Sequence, residues 1–109
     1  MTEWTPICPY ERLEPERGVA ALIAGTQVAV FLTHEGELLA ISNFDPHGRA
    51  NVLSRGIVGT RGDAPTVASP LHKQVYDLRT GRCLDLPGVE VATYPVRCRD
   101  GMVEVLCPT

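Results

Sequence analysis

The sequence predicts an all-β, antiparallel fold, and three observations carry that prediction. Short apolar or alternating runs recur along the 109 residues, and none sustains the 3.6-residue periodicity of a helix. Ten Gly and nine Pro are spread along the chain rather than clustered, as short strands joined by frequent turns require. Near the end, Asp100-Gly101 separates two strand-like runs, among the stronger hairpin signals a sequence offers.

The elements follow in order. Trp4–Cys8 reads as a short edge strand, with Pro6 placed where no ladder donor is needed. Glu11–Arg17 allows a helical turn at most, because Pro15 interrupts it. Val19–Ile23 and Gln27–Leu32 flank Ala24-Gly25-Thr26 and predict a hairpin. A turn at His34-Glu35-Gly36 leads into Glu37–Ser42, which completes a three-stranded meander. From Asn43 to Pro65 periodicity fails and glycines punctuate the chain, so a functional loop is expected there. Strand character returns at Thr66–Ser69 and Gln74–Leu78, and the turn Arg79–Arg82 reverses the chain into Cys83-Leu84. Thr93–Cys98 and Met102–Leu106 form the final hairpin.

Composition narrows the function classes. The length fits one domain with one core, and 44% apolar with 21% charged residues is ordinary for a soluble globular protein. No apolar run approaches the ~20 residues of a membrane span. The chain does not open on a basic-then-apolar leader, so a cytoplasmic location is expected. Cys8, Cys83, Cys98 and Cys107 contain no C-x-x-C pair and read as reduced, half-buried apolar residues. The net charge of −3 excludes strong nucleic-acid binding, yet the charge is unevenly placed. Residues 49–82 hold five Arg and one Lys against Asp63 and Asp77, a basic island in an acidic chain. Such an island suits an acidic partner or an anion, or is simply a solvated face.

Two stretches carry the candidate chemistry: Asp45-Pro46-His47 and Ser69-Pro70-Leu71-His72. A Rieske centre holds a two-iron cluster with a Cys-x-His pair and a Cys-x-x-His pair. Both histidines stand here at that spacing, while Asp45 and Ser69 occupy the thiolate positions. A carboxylate and a neutral hydroxyl are poor substitutes for thiolate sulfur. Cys83 lies beyond the Arg79–Arg82 turn, too far along the chain simply to slip into the Ser69 position. Asp45, His47 and His72 remain as a candidate two-histidine, one-carboxylate site for a single metal ion. The plainer reading makes both histidines exposed tip residues, and His34 a surface residue of a turn. Ser54 or Ser69 with His72 and Asp45 has the residue types of a hydrolase triad but no Gly-x-Ser-x-Gly elbow. Gly56, Gly59 and Gly62 lack the Gly-Lys-Ser/Thr ending of a phosphate loop.

A likeness runs over nearly the whole chain, from about Trp4 to Val105, and its most specific stretches are Ile41-Ser42-Asn43-Phe44-Asp45-Pro46, Val52-Leu53-Ser54-Arg55-Gly56-Ile57-Val58-Gly59, and Val67-Ala68-Ser69-Pro70-Leu71-His72-Lys73-Gln74. With them the sequence resembles the small subunit of assimilatory NAD(P)H-dependent nitrite reductase, a family with a Rieske-like fold that lacks the cluster ligands. In that family the position of His47 is commonly aromatic and that of His72 variable, so two histidines here are a departure. The resemblance implies one Rieske-like antiparallel β-sandwich domain over residues 1–109, with 43–82 as a cluster-binding-like subdomain inserted in a basal β domain. It implies a cofactor-free subunit, itself not catalytic, whose large-subunit partner carries FAD, an iron–sulfur cluster and sirohaem and reduces nitrite to ammonium. No dinucleotide fold or cysteine framework for those groups is present in this chain. On that reading Arg49, Arg55, Arg61 and Lys73 form a docking surface for the large subunit. The alternatives are a Rieske-type ferredoxin-like electron carrier, a mononuclear metal protein using Asp45, His47 and His72, and an interaction module with an unrelated partner.

Overall fold

The computed structural model describes residues 2–108. It opens with β1 (Thr2–Pro9) and a 3₁₀ turn at Tyr10–Arg12. The meander is β2 (Gly18–Ile23), β3 (Thr26–Leu32) and β4 (Leu38–Ser42). Next come β5 (Phe44–Asp45), β6 (Ala50–Asn51), a 3₁₀ turn at Leu53–Arg55, and the strands β7 (Ile57–Arg61), β8 (Ala64–Ala68) and β9 (Val75–Asp77). The chain closes with β10 (Thr93–Tyr94), β11 (Val96–Arg99) and β12 (Met102–Pro108).

These strands stack as three layers around the meander. Strand β3 is central in the sheet ordered β10-β4-β3-β2, and its residues alternate between two cores. Val28, Val30 and Leu32 pack with Val103, Val105 and Cys107, from the sheet ordered β1-β12-β11. On the other face, Ala29 and Phe31 pack with Leu53, Val67, Tyr76 and Leu78, from the segment between β4 and β10. That segment forms a β5-β6 pair and a sheet ordered β7-β8-β9. A run of five consecutive buried residues, Val28 to Leu32, is what a strand covered on both faces shows.

All the strand pairs are antiparallel, as predicted, with differences at particular places. The expected loop between Asn43 and Pro65 contains three strands. Of these, β7 pairs fully with β8, yet Ile57, Thr60 and Arg61 are exposed, so no hydrophobic alternation marks it. The predicted strand Thr93–Cys98 breaks at Pro95: β10 joins β4, whereas β11 joins β12. Proline cannot donate to a ladder and marks the corner where the chain changes sheet. Cys83 makes only an isolated bridge to Tyr76. Strand β1 is an edge, as expected, and a bulge between Pro6 and Cys8 absorbs the proline.

One contact on the terminal sheet has a measurable weight. Arg97 bonds Glu104 across the β11–β12 pair at 2.7 Å, and its guanidinium carbon lies 4.0 Å from the Trp4 ring centroid. A half-exposed ion pair and a cation–π contact each contribute about 0.5–1 kcal/mol. Arg97→Ala is therefore expected to lower the urea-unfolding free energy by about 1–2 kcal/mol. Trp4, the one tryptophan of the chain, reports the change by fluorescence.

Candidate functional site

The two half-motifs fold into two five-residue loops with the same hydrogen-bond pattern. In Asp45–Arg49 the Arg49 N–H donates to the Asp45 carbonyl at 2.6 Å; in Ser69–Lys73 the Lys73 N–H donates to the Ser69 carbonyl at 3.0 Å. The first side chain of each loop accepts the N–H two residues on: His47 N–H to Asp45 Oδ1 at 3.0 Å, and Leu71 N–H to Ser69 Oγ at 3.3 Å. These are the Asx- and Ser-turns that Asp-Pro and Ser-Pro steps favour. The fifth residue of each loop, Arg49 or Lys73, is left-handed, with φ of 59° and 62°.

A buried knot joins the loops. Ser69 Oγ donates to Asp45 Oδ2 at 2.5 Å, and the Tyr76 hydroxyl donates to Asp45 Oδ1 at 2.9 Å. Asp45 and Tyr76 are fully buried and Ser69 nearly so. Burial alone would push the Asp45 carboxyl up. Donors from Ser69, the Gly48 N–H, Tyr76 and the His47 N–H outweigh it and hold the carboxyl below its usual range. Tyr76 moves the other way: burial, then the hydrogen bond to Asp45 and its charge, push the phenol well up, so it stays a donor. Gly48 lets the loops close, because a Cβ there would stand 2.6 Å from Leu71 Cδ1 and 2.9 Å from Asp45 Oδ2.

Above the knot, the imidazoles of His47 and His72 meet edge to face, with ring centroids 4.9 Å apart and planes at 89°. Both histidines are exposed. The structure thus brings the two rings together but gives Asp45 to the interior. Among the described residues, no group of three or more His, Cys, Asp or Glu is arranged to hold a metal ion. Ser69, spent on Asp45 and buried, is not an available nucleophile. His34 is exposed in its turn. The four candidate docking residues separate. Arg49 and Lys73 lie on the paired loops, Arg55 ends the 3₁₀ turn, and Arg61 bonds Asp85 at 3.1 Å.

Two supports were missed by the sequence reading. Tyr76 is one; its strand register points it inward at Asp45, which no local pattern announces. Asn43 is the other. Buried beside β3, it receives the Ser54 N–H on Oδ1 at 2.7 Å and donates from Nδ2 to Gln27 Oε1 at 3.0 Å. It explains the Leu-Ser-Arg-Gly block. Leu53 plugs the second core and Ser54 is tied to Asn43; a Cβ at Gly56 would strike Val67 Cγ2 at 2.6 Å. That block is a structural clamp, with Arg55 its exposed residue.

Three layers, with two short half-motif loops closing against each other, define a Rieske-like domain. The sequence model of the family described as Rieske-like [2Fe-2S] domain matches residues 3–106. The small subunit of NADH nitrite reductase from Escherichia coli K12 is 40% identical over 96% of this chain and 98% of its own length. The NMR structure of the E. coli protein NirD superposes with a TM-score of 0.90 at 38% identity, covering all of both chains. A segment amounting to 11% of the large subunit of the Klebsiella oxytoca NAD(P)H nitrite reductase is 37% identical over 94% of this chain. The chain therefore belongs to the Rieske-like family and, within it, to the nitrite reductase small subunits.

The donor set does not fit the cluster named in the family description. A Rieske cluster takes two thiolates and two imidazoles. Here the imidazoles are in place, but the two positions for sulfur hold a carboxylate and a hydroxyl bonded to each other.

Proposed function

We propose that this chain is the small, cofactor-free subunit of an NAD(P)H-dependent nitrite reductase and acts by docking on the large subunit. The observation that carries this reading is the Asp45–Ser69 bond. It fills, with two oxygen groups satisfied by one another, the place from which a ferredoxin would transfer electrons. The near-full-length similarity to small subunits supplies the enzyme, and the Klebsiella large subunit, which contains a homologous segment within its own chain, supports the pairing. The flavin, iron–sulfur and sirohaem chemistry that reduces nitrite to ammonium then belongs to the large subunit. The chain works in the cytoplasm beside it; no helix among the described residues is long and apolar enough to cross a membrane. Residues 43–82 form the subdomain that faces the partner, with Arg49, Arg55, Arg61 and Lys73 as the cations of its docking side.

Three measurements test this. Untagged protein purified anaerobically is expected to be colourless and free of iron; a brown product with visible absorption would establish the ferredoxin reading instead. Metal analysis of the same sample, beside a His47→Ala/His72→Ala variant, separates a bound single ion from none. Affinity capture from the native cell is expected to retain the large subunit, and its absence would refute the assignment of partner.

A further inference from the structure

The exposed tip formed by the two loops combines features that intramolecular stability does not explain. Arg49 and Lys73 both sit in the left-handed region, which costs a residue with a Cβ about 1 kcal/mol relative to glycine. At Ala24 and Asp100 the same conformation belongs to a tight hairpin turn completed by the next glycine, and Glu16 shares it before Arg17; in the two loops it accompanies the closing bond from the fifth N–H to the first carbonyl, a place where glycine serves as well as a cation. Glycine or asparagine would fit both loops with less strain. Among the described residues, neither cation has a carboxylate partner, whereas Arg17, Arg61, Arg79 and Arg97 are each ion-paired. The same two loops carry Leu71, 48% exposed although it leans across Gly48, and the exposed His47–His72 pair. The platform beneath is rigid, because the two loops share the buried Asp45–Ser69 bond. An exposed leucine and two cations without carboxylate partners, carried on one preorganised pair of loops, are the makeup of a docking spot for an acidic-rimmed protein surface.

We infer that this tip is the face that docks on the large subunit, with Leu71 as the apolar anchor and Arg49 and Lys73 meeting carboxylates around it. The inference rests on the proposed function and narrows it: Arg61, held by Asp85, and Arg55, on the 3₁₀ turn, are outside the contact. The occupant is the catalytic chain because in the Klebsiella relative this fold is covalently part of that chain, a fusion that keeps the two at high effective concentration.

The test uses the whole chain and a separately purified large subunit in calorimetric titration. Arg49→Gly/Lys73→Gly and Leu71→Asp are each expected to weaken binding about tenfold or more, and the glycine pair to flatten its salt dependence. Arg99→Glu, on the exposed hairpin between β11 and β12, is the control expected to bind as the natural chain does. The glycine pair should also melt no lower than the natural chain, because it relieves strain; a lower melting temperature would show that the cations serve the fold and overturn the inference. Natural affinity in both tip variants, with Arg99→Glu also unchanged, would place docking elsewhere while leaving the partner intact. Failure of the natural chain itself to bind would instead defeat the functional reading.

Discussion

Asp45→Ala is expected to cost about 3 kcal/mol of unfolding free energy. Four donors converge on this carboxylate: the Ser69 and Tyr76 hydroxyls and the backbone N–H groups of His47 and Gly48. Removing it strands the two hydroxyls in a site with no exposure, and an unsatisfied buried polar group costs about 1–3 kcal/mol. Urea denaturation followed by circular dichroism measures the loss. The same residue sets a pH dependence whose sign is fixed. Its carboxyl ionises at lower pH in the folded chain than in the unfolded one, where the value is about 3.9, so the unfolded state binds more protons in that window. The stabilisation is complete above the unfolded value and is lost as pH falls through the folded one. The urea midpoint of the natural chain should therefore drop more steeply as pH falls below about 4 than that of Asp45→Asn. Parallel profiles would show that the charge at Asp45 contributes nothing.

Leu53→Ala is expected to cost about 2–5 kcal/mol, the range for emptying a fully buried leucine site. Leu53 is without exposure and lies among Phe31, Val67 and Tyr76 in the core between the meander and the β7-β8-β9 sheet. The surroundings cannot readily collapse on the void. Asn43 holds the neighbouring backbone through the Leu53 and Ser54 N–H groups, and Gly56 is pressed against Val67. The loss should therefore fall toward the upper part of that range. Differential scanning calorimetry gives the change; a decrease below about 1 kcal/mol would mean that the second core is loosely packed.

The meander was legible because its signals are local. Gly25 and Gly36 mark its turns, and the apolar runs between them are long enough to read. The final hairpin was legible through Asp100-Gly101 for the same reason. Strand β7 was not: Ile57, Val58 and Thr60 are β-branched, but a largely exposed strand with Gly59 at its centre shows no hydrophobic alternation. The break at Pro95 was visible as a residue but not as an event, because only the positions of β4 and β12 decide that the chain changes sheet there. At the candidate site, the spacing of His47 and His72 foretold that the two loops could bring the imidazoles side by side. The plainer reading, with both histidines as exposed tip residues, matches what the structure shows; what the spacing did not foretell is that Asp45 would turn inside.

By itself, the sequence determined the fold class, the half-motif spacing, and the replacement of both thiolate donors by oxygen groups, because each is a property of residue identity and interval. It also determined the family, through blocks whose glycines and leucine are structural. Only the tertiary structure decided how the vacated sulfur positions are used. Asp45 and Ser69 are 24 residues apart, and their bond, capped by Tyr76, exists because two separate hairpins pack on the same face of the meander. It likewise decided which of the basic residues stand free at the tip and which are spent on carboxylates. Charge pairing over such separations depends on where strands lie in space, and no local pattern encodes that.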